Sequence, residues 1–86
     1  MALSNGGDPL KELLVYLAKA LVDKPDEVEV MTTTEEDGTI IYQLKVASDD
    51  IGKVIGKKGR IANALRVIIR ASATKEGKVA RVQILD

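Results

Sequence analysis

The chain has 86 residues, no cysteine, no histidine, two tyrosines as its only aromatic residues, and 13 basic against 13 acidic side chains. That length supports one domain around one modest core. Lack of cysteine excludes a disulfide framework, thiolate-bound zinc and thiol catalysis, and lack of histidine removes the commonest general base and metal ligand, so the expectation is a non-catalytic binding protein without cofactor or metal. The N-terminal "MALSNGGDP" has no basic residue and no apolar segment. No apolar run approaches a membrane span, and the protein reads as cytoplasmic.

A net charge of zero conceals an asymmetry. Met1 to Leu44 carry three lysines against nine carboxylates, whereas Lys45 to Asp86 carry ten basic residues against four acidic ones. A charge divided in this way points to a polyanionic partner if the fold keeps the two halves apart.

Met1 to Gly7 read as a flexible arm. Asp8-Pro9 starts a helix, Asp as N-cap and Pro at the first helical position. Leu10, Leu13, Leu14, Leu17 and Leu21 form its apolar stripe, and Asp23-Lys24-Pro25-Asp26 ends it. "EVEVMTTT" (Glu27–Thr34) and "TIIYQLKV" (Thr39–Val46) read as strands of a hairpin turning at "EEDG", Asp37-Gly38 being a strong turn pair. Ser48, Asp49 and Asp50 offer an N-cap to a short helix over Asp50–Ile55. After "GKKG" a second helix is expected over Arg60–Ala73. Its apolar stripe is Ile61, Ala64, Leu65, Ile68 and Ile69, with Arg60, Asn63, Arg66 and Arg70 opposite and Val67 off the stripe. "TKEG" is a turn, and "KVARVQIL" (Lys78–Leu85) alternates as a strand. A helical crossover joins the last two strands in parallel. The fold class is α+β, order αββααβ: a three-stranded mixed sheet with three helices on one face.

The stretch "VIGKKGRI" (Val54–Ile61) carries the chemistry. One glycine suffices for a turn between helices. Two glycines framing two lysines leave a backbone whose N–H groups are uncovered, beside the N-terminus of the next helix, and that combination is an anion site. Nucleoside-triphosphate loops do not fit: Gly52 and Gly56 are one residue too close, and Lys58 stands where Ser or Thr would hold magnesium. A dinucleotide fingerprint from Gly52 would need glycines where Val54 and Lys57 stand.

In the order αββααβ, a "VIGKKG" loop between two helices resembles a KH domain of the bacterial type (type II). With this chain length it resembles the small single-domain KhpA-like (YlqC) family of RNA-binding proteins. The resemblance spans Asp8 to Asp86 and implies that residues 8–86 form one KH domain. It implies single-stranded RNA as ligand, clamped by a GXXG loop over about four nucleotides, with single-stranded DNA as an alternative. It further implies a post-transcriptional regulator or RNA chaperone that acts as a homodimer or with a second KH-containing RNA-binding protein. Carried over, Gly56, Lys57, Lys58 and Gly59 meet the nucleic-acid backbone. Ile51 and Val54 line the base groove and Ile55 plugs the core; by their own position, within a turn of the loop, Lys53 and Arg60 are expected to extend the phosphate track. Ala62 stands where the family has a larger aliphatic residue, with Ile61 one place early, so a reshaped groove floor is expected.

The residues agree with this mode. Without Trp or Phe, a stacking platform for bases is poorly served, whereas an aliphatic groove beside a phosphate clamp needs no aromatics. Tyr42 is expected to pack on the sheet and Tyr16 on the first helix. Arg66 and Arg70 read as a solvated helix face. A second class of function is an interaction scaffold, for which the stray Val67 and the charge asymmetry speak.

Overall fold

The computed structural model describes residues 7–85, so the expected arm lies outside the described residues apart from the exposed Gly7. Asp8 caps helix α1 (Pro9–Leu21): its Oδ1 accepts the N–H groups of Leu10 and Lys11 at 3.0 and 3.3 Å, and Pro9 occupies a position whose N–H would have no partner. Leu10, Leu14 and Ala18 are buried, and Leu13, Leu17 and Leu21 pack half-buried beside them. A 3-10 turn, Pro25–Glu27, leads into strand β1 (Glu29–Thr34).

The hairpin to strand β2 (Ile40–Lys45) closes where "EEDG" predicts it. Glu35 N–H donates to Thr39 O, Thr39 N–H donates to Asp37 Oδ1, and Gly38 takes φ +92°. The hydrogen bond from Thr39 holds the Asp37 carboxyl below its ordinary pKa. A 3-10 turn (Ser48–Asp50), helix α2 (Ile51–Ile55), a second 3-10 turn (Lys57–Gly59) and helix α3 (Arg60–Lys75) then cross to strand β3 (Ala80–Ile84). β3 pairs parallel to β2, Ile40 opposite Ala80 and Leu44 opposite Ile84, so β2 is central and β1 and β3 are edges. The α+β class and the order αββααβ are as the sequence predicts.

The three helices share one face of the sheet. Val30, Tyr42, Leu44, Ala80 and Val82 point inward to meet Leu14, Val54, Leu65 and Ile69. Tyr42 is fully buried, and its hydroxyl donates to Asp8 Oδ2 at 2.8 Å. One carboxylate thus caps α1 and anchors the central strand. Burial, then the hydrogen bond and charge of Asp8, push the phenol pKa well above its usual value.

Two local expectations are corrected. None of Ser48, Asp49 and Asp50 caps α2 with its side chain. Asp50 turns inward instead, 1% exposed, and its two carboxylate oxygens accept the N–H groups of Asp23 (3.2 Å) and Lys24 (3.0 Å) from the turn after α1. The second correction is the phase of α3. Ala62, Leu65, Ile69 and Ala73 are its buried stripe, and Ala64 and Ile68 face solvent. The helix has apolar residues on two sides, and periodicity alone cannot say which side meets the sheet.

Removing the Tyr42 hydroxyl leaves Asp8 with its cap but without its cross-link. Tyr42→Phe is expected to lower stability by about 1–2 kcal/mol, read as a lower urea midpoint at unchanged m-value.

Candidate nucleic-acid interface

The α2–α3 junction is built on two glycines that are needed for different reasons. Gly56 has φ +77° and ψ 174°, a region only glycine occupies readily, and a Cβ placed there would lie 2.6 Å from Cγ1 of Ile61. Gly59 has φ +73°, and a Cβ added there would meet nothing within 4 Å, so it answers to backbone angle alone. Between them Lys58 takes φ +57°, the only non-glycine with positive φ among the described residues. Gly59 N–H donates back to Gly56 O at 3.1 Å and closes the turn. The N–H groups of Lys57 and Lys58 find no acceptor among the described residues. Both side chains are exposed, and neither has a carboxylate within 4 Å among those residues. α3 begins at Arg60, directly behind this loop, and adds the positive end of a 16-residue helix.

Of the residues assigned to the clamp, Gly56, Lys57, Lys58, Gly59 and the exposed Arg60 stand together at this apex. Lys53 does not join them freely. Its ammonium lies 3.2 Å from Asp23 and 3.6 Å from Asp50, and the hydrogen bond and charge of Asp23 foremost hold its pKa above the ordinary value. Lys53 therefore belongs to the tether between α2 and the turn after α1. Asp50 is pushed upward by burial, but its two backbone donors and Lys53 outweigh that and keep its carboxyl below the usual range.

The aliphatic assignments change as well. Val54 is fully buried and has no surface to offer a base, while Ile55 is half-exposed and is not among the residues packed on the core. Their burial is the reverse of what the sequence suggests. Ile51 is half-buried against the core and lines a separate cavity of about 420 Å³ with Met31, Lys45 and Leu85, which no residue of the loop touches. Ala62 is buried, 3% exposed. Tyr16, expected to pack, is 71% exposed, and it lines a wide groove with Lys11, Val15 and Thr32 on the far edge of the domain.

One part of the surface escaped sequence reasoning. Arg66 reaches across to the free edge of β3: its Nε donates to Val82 O at 3.3 Å and its Nη1 to Asn63 Oδ1 at 3.4 Å. With Arg70, Val79, Ala80 and Arg81 it encloses a cavity of about 270 Å³ between α3 and that edge. The arginine row is visible in the sequence, but nothing there shows that Arg66 reaches the backbone of the edge strand.

The two glycines make separable demands on stability. Gly56→Ala is expected to cost about 2–4 kcal/mol, because Ile61 must move as well as the backbone, whereas Gly59→Ala should cost about 1–2 kcal/mol. Lys58→Asn should raise stability by about 0.5–1 kcal/mol, since Asn tolerates the left-handed region, while removing a cation. Chemical denaturation of the three variants tests this order.

Comparison with known proteins places this geometry. The model of the KhpA/KhpB KH domain matches residues 11–84. RNA-binding protein KhpA of Clostridium acetobutylicum is 55% identical over 76 residues, covering 88% of this chain and 100% of the relative. KhpA of Treponema pallidum is 51% identical, covering 88% and 94%, and that of Listeria monocytogenes 42%, covering 90% and 100%. Among solved structures, Aquifex aeolicus Era superposes with a TM-score of 0.61 at 16% identity, covering 88% of this chain and 29% of Era. Era in complex with MgGDPNP and nucleotides 1506–1542 of 16S ribosomal RNA gives 0.60 at 16%, covering 87% and 28%. The likeness to Era is one of fold, to less than a third of that longer chain. The αββααβ order, the GKKG junction between α2 and α3, and relatives matched end to end make this chain a member of the KhpA/KhpB family of KH-domain proteins.

Proposed function

We propose that this chain is a non-catalytic RNA-binding module that holds a single strand by its phosphates at the GKKG loop. The observation that carries the reading is the loop itself. Two exposed lysines without a carboxylate partner among the described residues sit on a backbone with free N–H groups at the start of α3. Backbone donors, two ammonium groups and the helix dipole converge on one point, where a phosphodiester oxygen is the fitting ligand. Arg60 continues the track. Ile55 offers an aliphatic surface beside it, and Arg66 with Arg70 borders the free edge of β3. The names of the relatives, RNA-binding protein KhpA, support RNA over other polyanions. The proposed role is post-transcriptional or that of an RNA chaperone, in the cytoplasm. Among the described residues no helix is long and apolar enough to cross a membrane.

A second surface favours self-association. Ala64, Val67, Ile68 and Ala71 recur at helical spacing on the outer side of α3, with Val67 51% and Ile68 40% exposed. A contiguous apolar stripe opposite the buried one is an interface pattern, and a second copy of this chain is the occupant proposed for it. A second KH-containing protein on the same stripe is the alternative.

Fluorescence anisotropy of a labelled single-stranded RNA, the matched DNA and a duplex tests the clamp. The single strand should bind, weakening by about 0.7 log units per log unit of salt for each phosphate neutralised. Lys57→Asp/Lys58→Asp should abolish binding while circular dichroism stays native. Binding indifferent to both lysines refutes the clamp, and equal affinity for DNA assigns the ligand as any single strand. Light scattering tests the stripe. The wild type should show a mass rising with concentration, and Ile68→Asp should remain monomeric. A wild-type monomer at all concentrations leaves the stripe to a different protein.

A further inference from the structure

Lysines stand on both sides of Gly56, and they differ in what holds them. Lys57 and Lys58, after it, have no carboxylate within 4 Å among the described residues. Lys53, before it, has two. Those two carboxylates are unlike each other. Asp50 is buried, and each of its oxygens accepts a backbone N–H, so it keeps two donors without Lys53. The Asp23 side chain is 76% exposed, and Lys53, at 3.2 Å, is the one cation within 4 Å of it among the described residues. Its neighbour Lys24 turns to Asp49 instead.

The fold does not hang on the pair of Lys53 with Asp23. The Asp23 N–H is held by Asp50, and an ion pair between two exposed side chains contributes little to stability. What the pair does is neutralise a cation next to the loop. Gly56 N–H donates to Gly52 O, so α2 keeps its helical turn up to the loop, and Gly56, three residues after Lys53, lies on the same face of it. Lys53 therefore carries its ammonium on a flexible four-carbon stem from the face of α2 that runs into the clamp. In the free protein that ammonium is spent on Asp23.

We infer that Asp23 competes with the RNA phosphate for Lys53: the clamp has a third lysine, and the Asp23 carboxylate withholds it. The inference rests on the RNA-binding reading above and adds a built-in restraint on its strength. A carboxylate and a phosphodiester are both anionic oxygen acceptors for an ammonium, so at Lys53 one displaces the other. The carboxylate belongs to the same chain and is always at hand, whereas a strand held at Lys57 and Lys58 must outbid it to recruit Lys53. Removing the carboxylate frees Lys53 and adds one neutralised phosphate to the footprint.

The test is a double-mutant cycle read by anisotropy of a labelled single-stranded RNA over a salt series. The chains are the wild type, Asp23→Asn, Lys53→Gln and Asp23→Asn/Lys53→Gln. Asp26→Asn, which removes an exposed carboxylate three residues further on, controls for net charge. Circular dichroism and urea midpoints check that every variant is folded. At low salt Asp23→Asn should bind RNA about fivefold more tightly than the wild type, with a salt slope steeper by about 0.7. A merely structural role for Asp23 would not steepen that slope. Lys53→Gln should bind within about twofold of the wild type, and the double variant should return to wild-type affinity and slope. An Asp23→Asn chain without the gain, a gain that survives in the double variant, or an equal gain in Asp26→Asn overturns the inference and leaves the clamp standing. So does a Lys53→Gln chain that loses most of its affinity, since Lys53 would then already hold RNA in the wild type. A wild type that binds no RNA, or binds it indifferently to Lys57→Asp/Lys58→Asp, overturns the clamp and the inference together.

Discussion

Ile61 lies directly on the bare backbone of Gly56, and the rest of the functional surface depends on that approach. A side chain at position 56 would collide with Ile61, and its backbone angles exclude one in any case. Because the approach is so close, the chain turns from α2 into α3 within four residues, and α3 leaves the turn with Ala62, Leu65, Ile69 and Ala73 toward the sheet. The other sides of the helix follow from that phase. The arginine row comes against the free edge of β3, the small apolar stripe faces outward, and the lysines of the loop stand clear at the apex.

The basic residues are divided by partner. Lys24, Lys53 and Lys78 pair with Asp49, Asp23 and Asp50, and Glu76, and so serve the scaffold. The lysines of the loop and the arginines have no such partner among the described residues. The most constrained of these contacts is Asp50, a buried carboxylate met by two backbone N–H groups and Lys53. A buried charge with this many donors is satisfied rather than strained. It fastens the turn after α1 to the base of the helix that carries the loop, and the lysines of the loop are left without a carboxylate partner among the described residues.

Much of this was legible in the sequence. The cap at Asp8, the leucine stripe of α1, the Asp37-Gly38 hairpin and the alternation of β3 rest on interactions within a few residues, and the structure has each of them. The GKKG loop was legible for the same reason, since its glycines answer to local backbone angles. Misplaced residues were those decided over longer distances. Val54 and Ile55 are equally aliphatic neighbours, and which of them is buried depends on how α2 lies against α3 and the sheet. Asp50 has the composition of a helix cap, yet its partners lie 26 and 27 positions earlier.

The sequence by itself determined the element order, the parallel crossover and the position of the GKKG loop, because those follow from hydrophobic period, turn chemistry and backbone sterics. Only the tertiary structure decided the phase of α3, the assignment of Lys53 to the scaffold and the pairing of the arginine row with an unpaired strand edge. Each of these depends on which surfaces of two elements distant in sequence come together. α3 carries apolar residues on both sides, so its own periodicity is satisfied by either orientation, and packing of Leu65, Ile69 and Ala73 with α1 and the strands takes one of them.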